Sequence, residues 1–261
     1  MSGIAGWVDF TRDIDRQPGV VRSMVATLAN RGPDGERVWA AGHAVLGHRR
    51  LAVPGSMLGA QPAVAEQDDR VLGALAFDGE VYNAAALRSR LLSAGHRIPG
   101  DDHAHVLLHA YLEWGDSFPD QIEGTFAIAV WDARTEEVLL ARDHFGVKPL
   151  YYTLLPTGVV FGSEPKAVLA HPLVEAVADA DTLREAMAFT ATPGNGLFVG
   201  LRKVTAGSTT RVAASGTKDH TFWELTAAPH TDDERTTVAT VRGLMEEAVG
   251  RQLLAHGETS V

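Results

Sequence analysis

Apolar positions recur along this chain in two rhythms, and the switches between them outline its elements. Residues 3–9 form a glycine-punctuated apolar run that reads as a strand. Over 17–30, Val20, Val21, Met24, Val25 and Leu28 fall at helical spacing. Strand-like stretches follow at 44–48 and 71–77. Helices are expected over 83–94 and 103–114, closed by Gly95 and Gly115. Residues 125–132 and 137–142 flank the polar turn Arg134-Thr135-Glu136, a hairpin signal, and 150–154 with 158–162 flank Pro156-Thr157-Gly158. Short helices are expected from Glu164 and Asp181, and a last hairpin over 208–213 and 219–224, turned at Ser215-Gly216. A final helix over 236–254 brings Val238, Val241, Met245, Val249 and Leu253 near one face, a stripe that must pack on this domain or dock on another.

Strand pairs interleaved with helix pairs predict an α+β sandwich of four layers, two mainly antiparallel sheets with helices on both outer faces. The polar stretch 229–234 divides the chain into a domain at 1–228 and a linker with helix at 229–261. Composition is that of a globular protein, 45% hydrophobic and 21% charged. A formal net charge of −10 argues against nucleic acid as a partner, because phosphate binding needs a basic face. No apolar run reaches membrane-spanning length and no signal peptide opens the chain, so a cytoplasmic location is the default. The absence of cysteine excludes disulfides, thiolate metal sites and a thiol nucleophile.

Several motifs carry a family signature. The chain opens Met1-Ser2-Gly3-Ile4-Ala5-Gly6-Trp7, then shows Arg31-Gly32-Pro33-Asp34, His48-Arg49-Arg50-Leu51 and Gly79-Glu80-Val81-Tyr82-Asn83. Further on come Tyr111-Leu112-Glu113-Trp114-Gly115, the stretch from Arg142 to Tyr152 with Lys148-Pro149-Leu150-Tyr151-Tyr152 at its end, and Phe161-Gly162-Ser163-Glu164-Pro165-Lys166-Ala167. In order and spacing these resemble the glutaminase domain of glutamine-dependent asparagine synthetases, a class II glutamine amidotransferase, over essentially residues 1–225. The resemblance implies an αββα N-terminal-nucleophile (Ntn) hydrolase fold in which residue 2 becomes the mature N-terminus. It also implies a second, ATP-pyrophosphatase domain, whose phosphate-binding Ser-Gly-Gly-x-Asp-Ser loop does not occur in this sequence. ATP and Mg are expected only there, with no cofactor and no metal in this chain. The 236–254 helix resembles the start of that domain, which favours docking.

Position by position, the resemblance places Ser2 where the family has its nucleophilic cysteine. Asp78 and Gly79 fall on the oxyanion hole, where the family has Asn-Gly. Arg50 matches the clamp for the glutamine α-carboxylate, Glu80 a carboxylate near the α-ammonium, and His103 the partner of Glu80, with a one-residue slip placing Asp102 there instead. Serine is harder to activate than a thiol, though an N-terminal hydroxyl can serve as nucleophile through its own α-amine. An ionised Asp78 only accepts hydrogen bonds, so a donor to the tetrahedral intermediate is lost, a change worth roughly 10²–10³ in rate. Pro54-Gly55 replaces the family's Ile-Asp and reshapes the pocket wall.

These departures converge on one pocket while the scaffold motifs stand, as in β-lactam synthetases, relatives that keep the domain without the thiol. The leading expectation is a pseudo-glutaminase, a scaffold for an ATP-dependent amide-forming synthetase domain or separate polypeptide. The alternatives are an active serine-dependent Ntn amidohydrolase and a non-catalytic module binding glutamine or glutamate; a homodimer is left open. Other signals read as structure. Asp101, Asp102, His103 and His105 are a helix N-terminus capped by aspartate, since histidines two apart do not share a helix face. The charges at 134–143 are a solvated hairpin, Trp114, Trp131 and Trp223 are core, and Arg31 with Asp34 braces the loop behind the pocket.

Overall fold

The computed structural model describes residues 1–52, 59–190 and 192–255. The first half of the chain runs β1 Gly3–Asp9, α1 Pro18–Ala26, β2 Gly35–Ala41, β3 Ala44–Arg50, β4 Ala63–Gln67, β5 Arg70–Val81, α2 Ala84–Ser93 and α3 His103–Trp114. A 3-10 helix at Gly115–Gln121 leads into β6 Gly124–Asp132, β7 Glu137–Arg142, β8 Tyr151–Leu155, β9 Gly158–Gly162 and α4 Pro165–Leu169. After these come α5 Ala180–Met187, β10 Leu201–Lys203, β11 Ser208–Ala213, β12 Gly216–Thr221 and α6 Glu234–Ala255. One six-stranded sheet has the order β10-β8-β9-β1-β3-β2, the other β12-β11-β7-β6-β5-β4, and neighbours pair antiparallel.

Strand parity builds the layers. Ile4, Val8, Ala44 and Leu46 of the first sheet meet Ala74, Ala76, Ala127 and Ala129 of the second in the central core. The intervening positions Ala5, Trp7 and Val45 face outward and are covered by Val21, Met24 and Val25 of α1 and by Ala167 and Val168 of α4. On the other side Leu75, Phe77, Ile128 and Val130 are covered by α2 and α3 through Leu87, Leu91 and Leu107. The result is the expected four-layer αββα sandwich. Alanine holds all four of these positions on the second sheet's inner face.

Several elements differ from the sequence reading. The first helix ends at Ala26 and tightens through i→i−3 bonds, Thr27 to Met24 and Leu28 to Val25, so that Arg31 leaves it directed at the N-terminus. Strand β2 carries a charged start and no clean alternation, because it is a half-buried edge pairing β3 from Gly35↔Arg50 to Ala41↔Ala44. Strand β4 returns to β5 through Asp68 and Asp69, both at positive φ, the geometry of a tight hairpin turn. The last hairpin turns in two residues, Ala213 pairing Gly216, so β12 starts three residues earlier than expected. The hairpin charges at 142–143 are buried rather than solvated. Arg142 donates to the carbonyls of Lys148, Val204 and Gly146, and Asp143 accepts from the amides of Phe126, Phe145, Val147 and Lys148. Of the three tryptophans, Trp131 is core, Trp114 packs at its margin, and Trp223 is half-buried against His144 and Phe145.

Candidate active site

The inter-sheet parity that places Ile4 and Leu46 in the core continues at the same end of both sheets with polar residues. Ser2 extends β1, His48 and Arg50 end β3, and Asp78 and Glu80 end the inward row of β5. Apolar side chains fill the cleft until it approaches the surface; polar ones line it there. Ser2 is buried, and its hydroxyl oxygen accepts from the amide of Leu51 at 3.2 Å. Asp34 fixes the segment carrying that amide: its backbone N–H donates to the Arg50 carbonyl, and its carboxylate accepts from Ala52.

One guanidinium ties the site together. Arg31 Nε donates to the Ser2 carbonyl at 2.8 Å, Nη2 pairs with Asp78 Oδ2 at 2.7 Å, and Nη1 reaches Glu164 Oε1 at 3.2 Å. Lys166 binds the other oxygen of Glu164 at 2.9 Å. Asp78 is 2% exposed, and burial pushes its carboxyl up. Lys148, Arg31 and the N-terminal ammonium pull the other way without cancelling the shift. Burial likewise lowers the pKa of the Met1 amine, against the pull of Asp78. Gly79 has φ +153, and a Cβ there would lie 2.0 Å from the Thr125 carbonyl oxygen, so glycine is obligatory where β5 meets β6.

Arg50 is exposed, and its guanidinium makes no hydrogen bond or ion pair among the described residues. It borders a cavity of about 310 Å³ that His48, Gln61, Asp34, Arg37 and Gly59 also line. His48 and Gln61 each keep a buried side-chain nitrogen without a partner among the described residues, and burial with the Arg50 charge holds His48 neutral, its pKa pushed down to about 4. Such a wall can receive a carboxylate: a guanidinium and buried polar atoms that have no partner among the described residues.

Compared with protein-family models, residues 1–223 match the one described as "Glutamine amidotransferase domain". The chain belongs to the glutamine amidotransferase family. Among curated relatives, "Asparagine synthetase [glutamine-hydrolyzing] 3" of Bacillus subtilis is 38% identical over 258 residues, covering 98% of this chain and 42% of that protein. "Asparagine synthetase B [glutamine-hydrolyzing]" of Escherichia coli is 34% identical over 170 residues, 65% of this chain and 30% of that protein. The chain thus spans less than half the length of these relatives. Among solved structures, the "glutamine phosphoribosylpyrophosphate (PRPP) amidotransferase from B. subtilis" superposes with a TM-score of 0.60 over 85% of this chain and 49% of that one, at 18% identity, which speaks to the fold.

Within this amidotransferase domain, Ser2, Arg50, Asp78, Gly79 and Glu80 lie toward one end of the inter-sheet cleft. His103 is carried by a different element. It opens α3 and is half-buried, its Nδ1 without a hydrogen-bond partner among the described residues; burial lowers its pKa, against the pull of Asp102. Asp102 caps α3 as expected, accepting from the His105 amide at 3.0 Å and from its ring at 2.9 Å. Pro54-Gly55 lies outside the described residues. Among those residues no three His, Asp or Glu side chains are arranged to hold a metal ion. Sequence reasoning passed over Arg31, Glu164 and Lys148 as scaffold. Their only signal was co-occurrence of the Arg-Gly-Pro-Asp, Ser-Glu-Pro-Lys and Lys-Pro motifs, which the fold brings to the N-terminus.

Proposed function

We propose that this domain has lost glutamine hydrolysis and serves as the scaffold of an ATP-dependent amide-forming synthetase domain or partner. The observation that carries the reading is Asp78, a buried carboxylate ion-paired to Arg31 at the position where an oxyanion needs a donor. Ser2 at the nucleophile position adds to it, since a hydroxyl needs a base that a thiol can partly do without. The relatives in which this domain is one part of a longer asparagine synthetase support the partner half of the proposal. So does α6, whose Val238, Val241, Met245, Val249 and Leu253 are all about half exposed or more, an apolar stripe that the domain itself does not cover. By this reading residues 1–228 form the amidotransferase domain and 229–261 begin the connection to its partner.

The test is ammonia release from glutamine by the protein with Met1 removed, beside a Ser2→Cys, Asp78→Asn double variant. The parent is expected to be silent and the double variant to release ammonia. Ammonia from the parent overturns the reading in favour of a serine-dependent amidohydrolase.

A further inference from the structure

Asp78 sits where its charge is costly; Lys148 and the N-terminal ammonium offset part of that cost, and Arg31 is the cation in direct contact with it. The Arg31 guanidinium spends each of its three nitrogens on a different part of the fold. Nε holds the Ser2 carbonyl before β1, Nη2 holds Asp78 on β5 of the opposite sheet, and Nη1 holds Glu164 ahead of α4. The side chains of Arg31 and Asp78 are 9% and 2% exposed, so water does little to screen the pair. A planar fork with separately directed donors makes this arrangement available to arginine and not to lysine.

We propose that Arg31 is the positioning residue of this site, holding the N-terminal residue by its carbonyl and setting the electrostatic field at residue 2 through its pair with Asp78. The inference rests on the reading of residues 2 and 78 as the reaction-site positions, but not on whether glutamine is hydrolysed. Arg31 touches no reacting atom in this scheme; it acts through Ser2 and Asp78. The charged groups that face Asp78 are Arg31, Lys148 and the N-terminal ammonium, and those that face Glu164 are Arg31 and Lys166. Asp78 therefore does not stand as a bare anion beside residue 2. Its charge is shared with a guanidinium that also grips that residue, and removing either partner leaves the other's charge acting on residue 2.

The chain contains no cysteine, so Ser2→Cys introduces a single thiol whose ¹³Cβ shift reports its own titration without needing solvent access. That titration is followed in Ser2→Cys alone and combined with Arg31→Met, Arg31→Lys or Asp78→Asn, with Arg49→Met as a control at an arginine that pairs with Glu36 instead. Arg31→Met is expected to raise the thiol midpoint by about one pH unit, a tenfold loss of thiolate below it. Asp78→Asn should lower the midpoint, Arg31→Lys should recover part of the Arg31→Met shift, and the control should leave it unmoved. A midpoint unaffected by both Arg31→Met and Asp78→Asn overturns the proposal. If Arg31→Met does not fold, Asp78→Asn still decides, because Arg31 keeps Glu164 as a partner in that variant. Glutamine turnover is not read, so a failure of the pseudo-glutaminase reading shows up in the ammonia assay and leaves these titrations standing.

Discussion

Ser163 Oγ accepts a hydrogen bond from the Ile4 amide at 2.9 Å, although 159 residues separate the two. The amide of Ser163 returns a bond to the Ile4 carbonyl, so the residue after β9 seals the start of β1 from both sides. The Ser-Glu pair thereby holds the N-terminus twice, once through Ser163 and once through Glu164 and Arg31. Because Ser163 is fully buried, Ser163→Ala leaves the Ile4 amide without that acceptor and should cost about 1–3 kcal/mol. Urea denaturation measures the loss, and hydrogen exchange should speed up at Ile4 more than at Val45.

Gly79→Ala should be among the most damaging single changes in the domain. The added methyl would meet the Thr125 carbonyl oxygen at 2.0 Å and the Phe126 Cα at 2.8 Å, backbone atoms that cannot rotate away. The positive φ adds strain for any L side chain. A loss of about 3–5 kcal/mol is expected, read as a lowered denaturation midpoint with an unchanged slope.

Acid should weaken the fold well above the carboxylate range. His48 titrates near 4 in the folded chain against an ordinary value of 6.5, because burial and then Arg50 disfavour its charged form. Between those values the unfolded chain binds the proton and the folded chain does not. Stability from this group is therefore full above about pH 6.5, falls as pH drops toward 4, and is flat below; the total is about 3 kcal/mol. Thermal melts at pH 7 and pH 4.5 should show a smaller drop for His48→Gln than for the parent. His109 and His171, also held near 4 by burial first, add to the drop in the same sense, as does His103, whose pKa burial lowers.

The stripe on α6 should matter for association and not for folding. Val241 and Met245 are 49% and 64% exposed, so Val241→Lys and Met245→Lys should change stability by no more than about 0.5 kcal/mol. Both should weaken binding of a synthetase domain added in trans, measured by calorimetry. Equal affinity in parent and variants would assign the stripe another role.

How much of this was legible in sequence depends on the range of the interaction. The rhythm of apolar residues marks β1, α3, β6 and β7 within a residue, since burial on one face repeats every second or every three to four positions in any fold. Edge strands leave no such record. β2 and β10 take their conformation from the partners they pair with, and of their side chains only Leu201 is buried. Candidate site positions came from short motifs, which named Ser2, Arg50, Asp78, Gly79, Glu80 and His103 without saying what surrounds them.

The sequence by itself determined the four-layer class, the family and the absence of any thiol, because periodicity, motif order and cysteine content are properties of the chain. Only the tertiary structure decided that Asp78 is a paired charge. Arg31 lies 47 residues away in sequence and its target is 2.7 Å away in space, and local pattern does not encode a contact made between sheets. The same holds for Asp143, which reads as one more hairpin charge and is in fact a buried acceptor for four backbone amides. Charge is written in the sequence; whether it is solvated, paired or buried is settled by the layers that close over it.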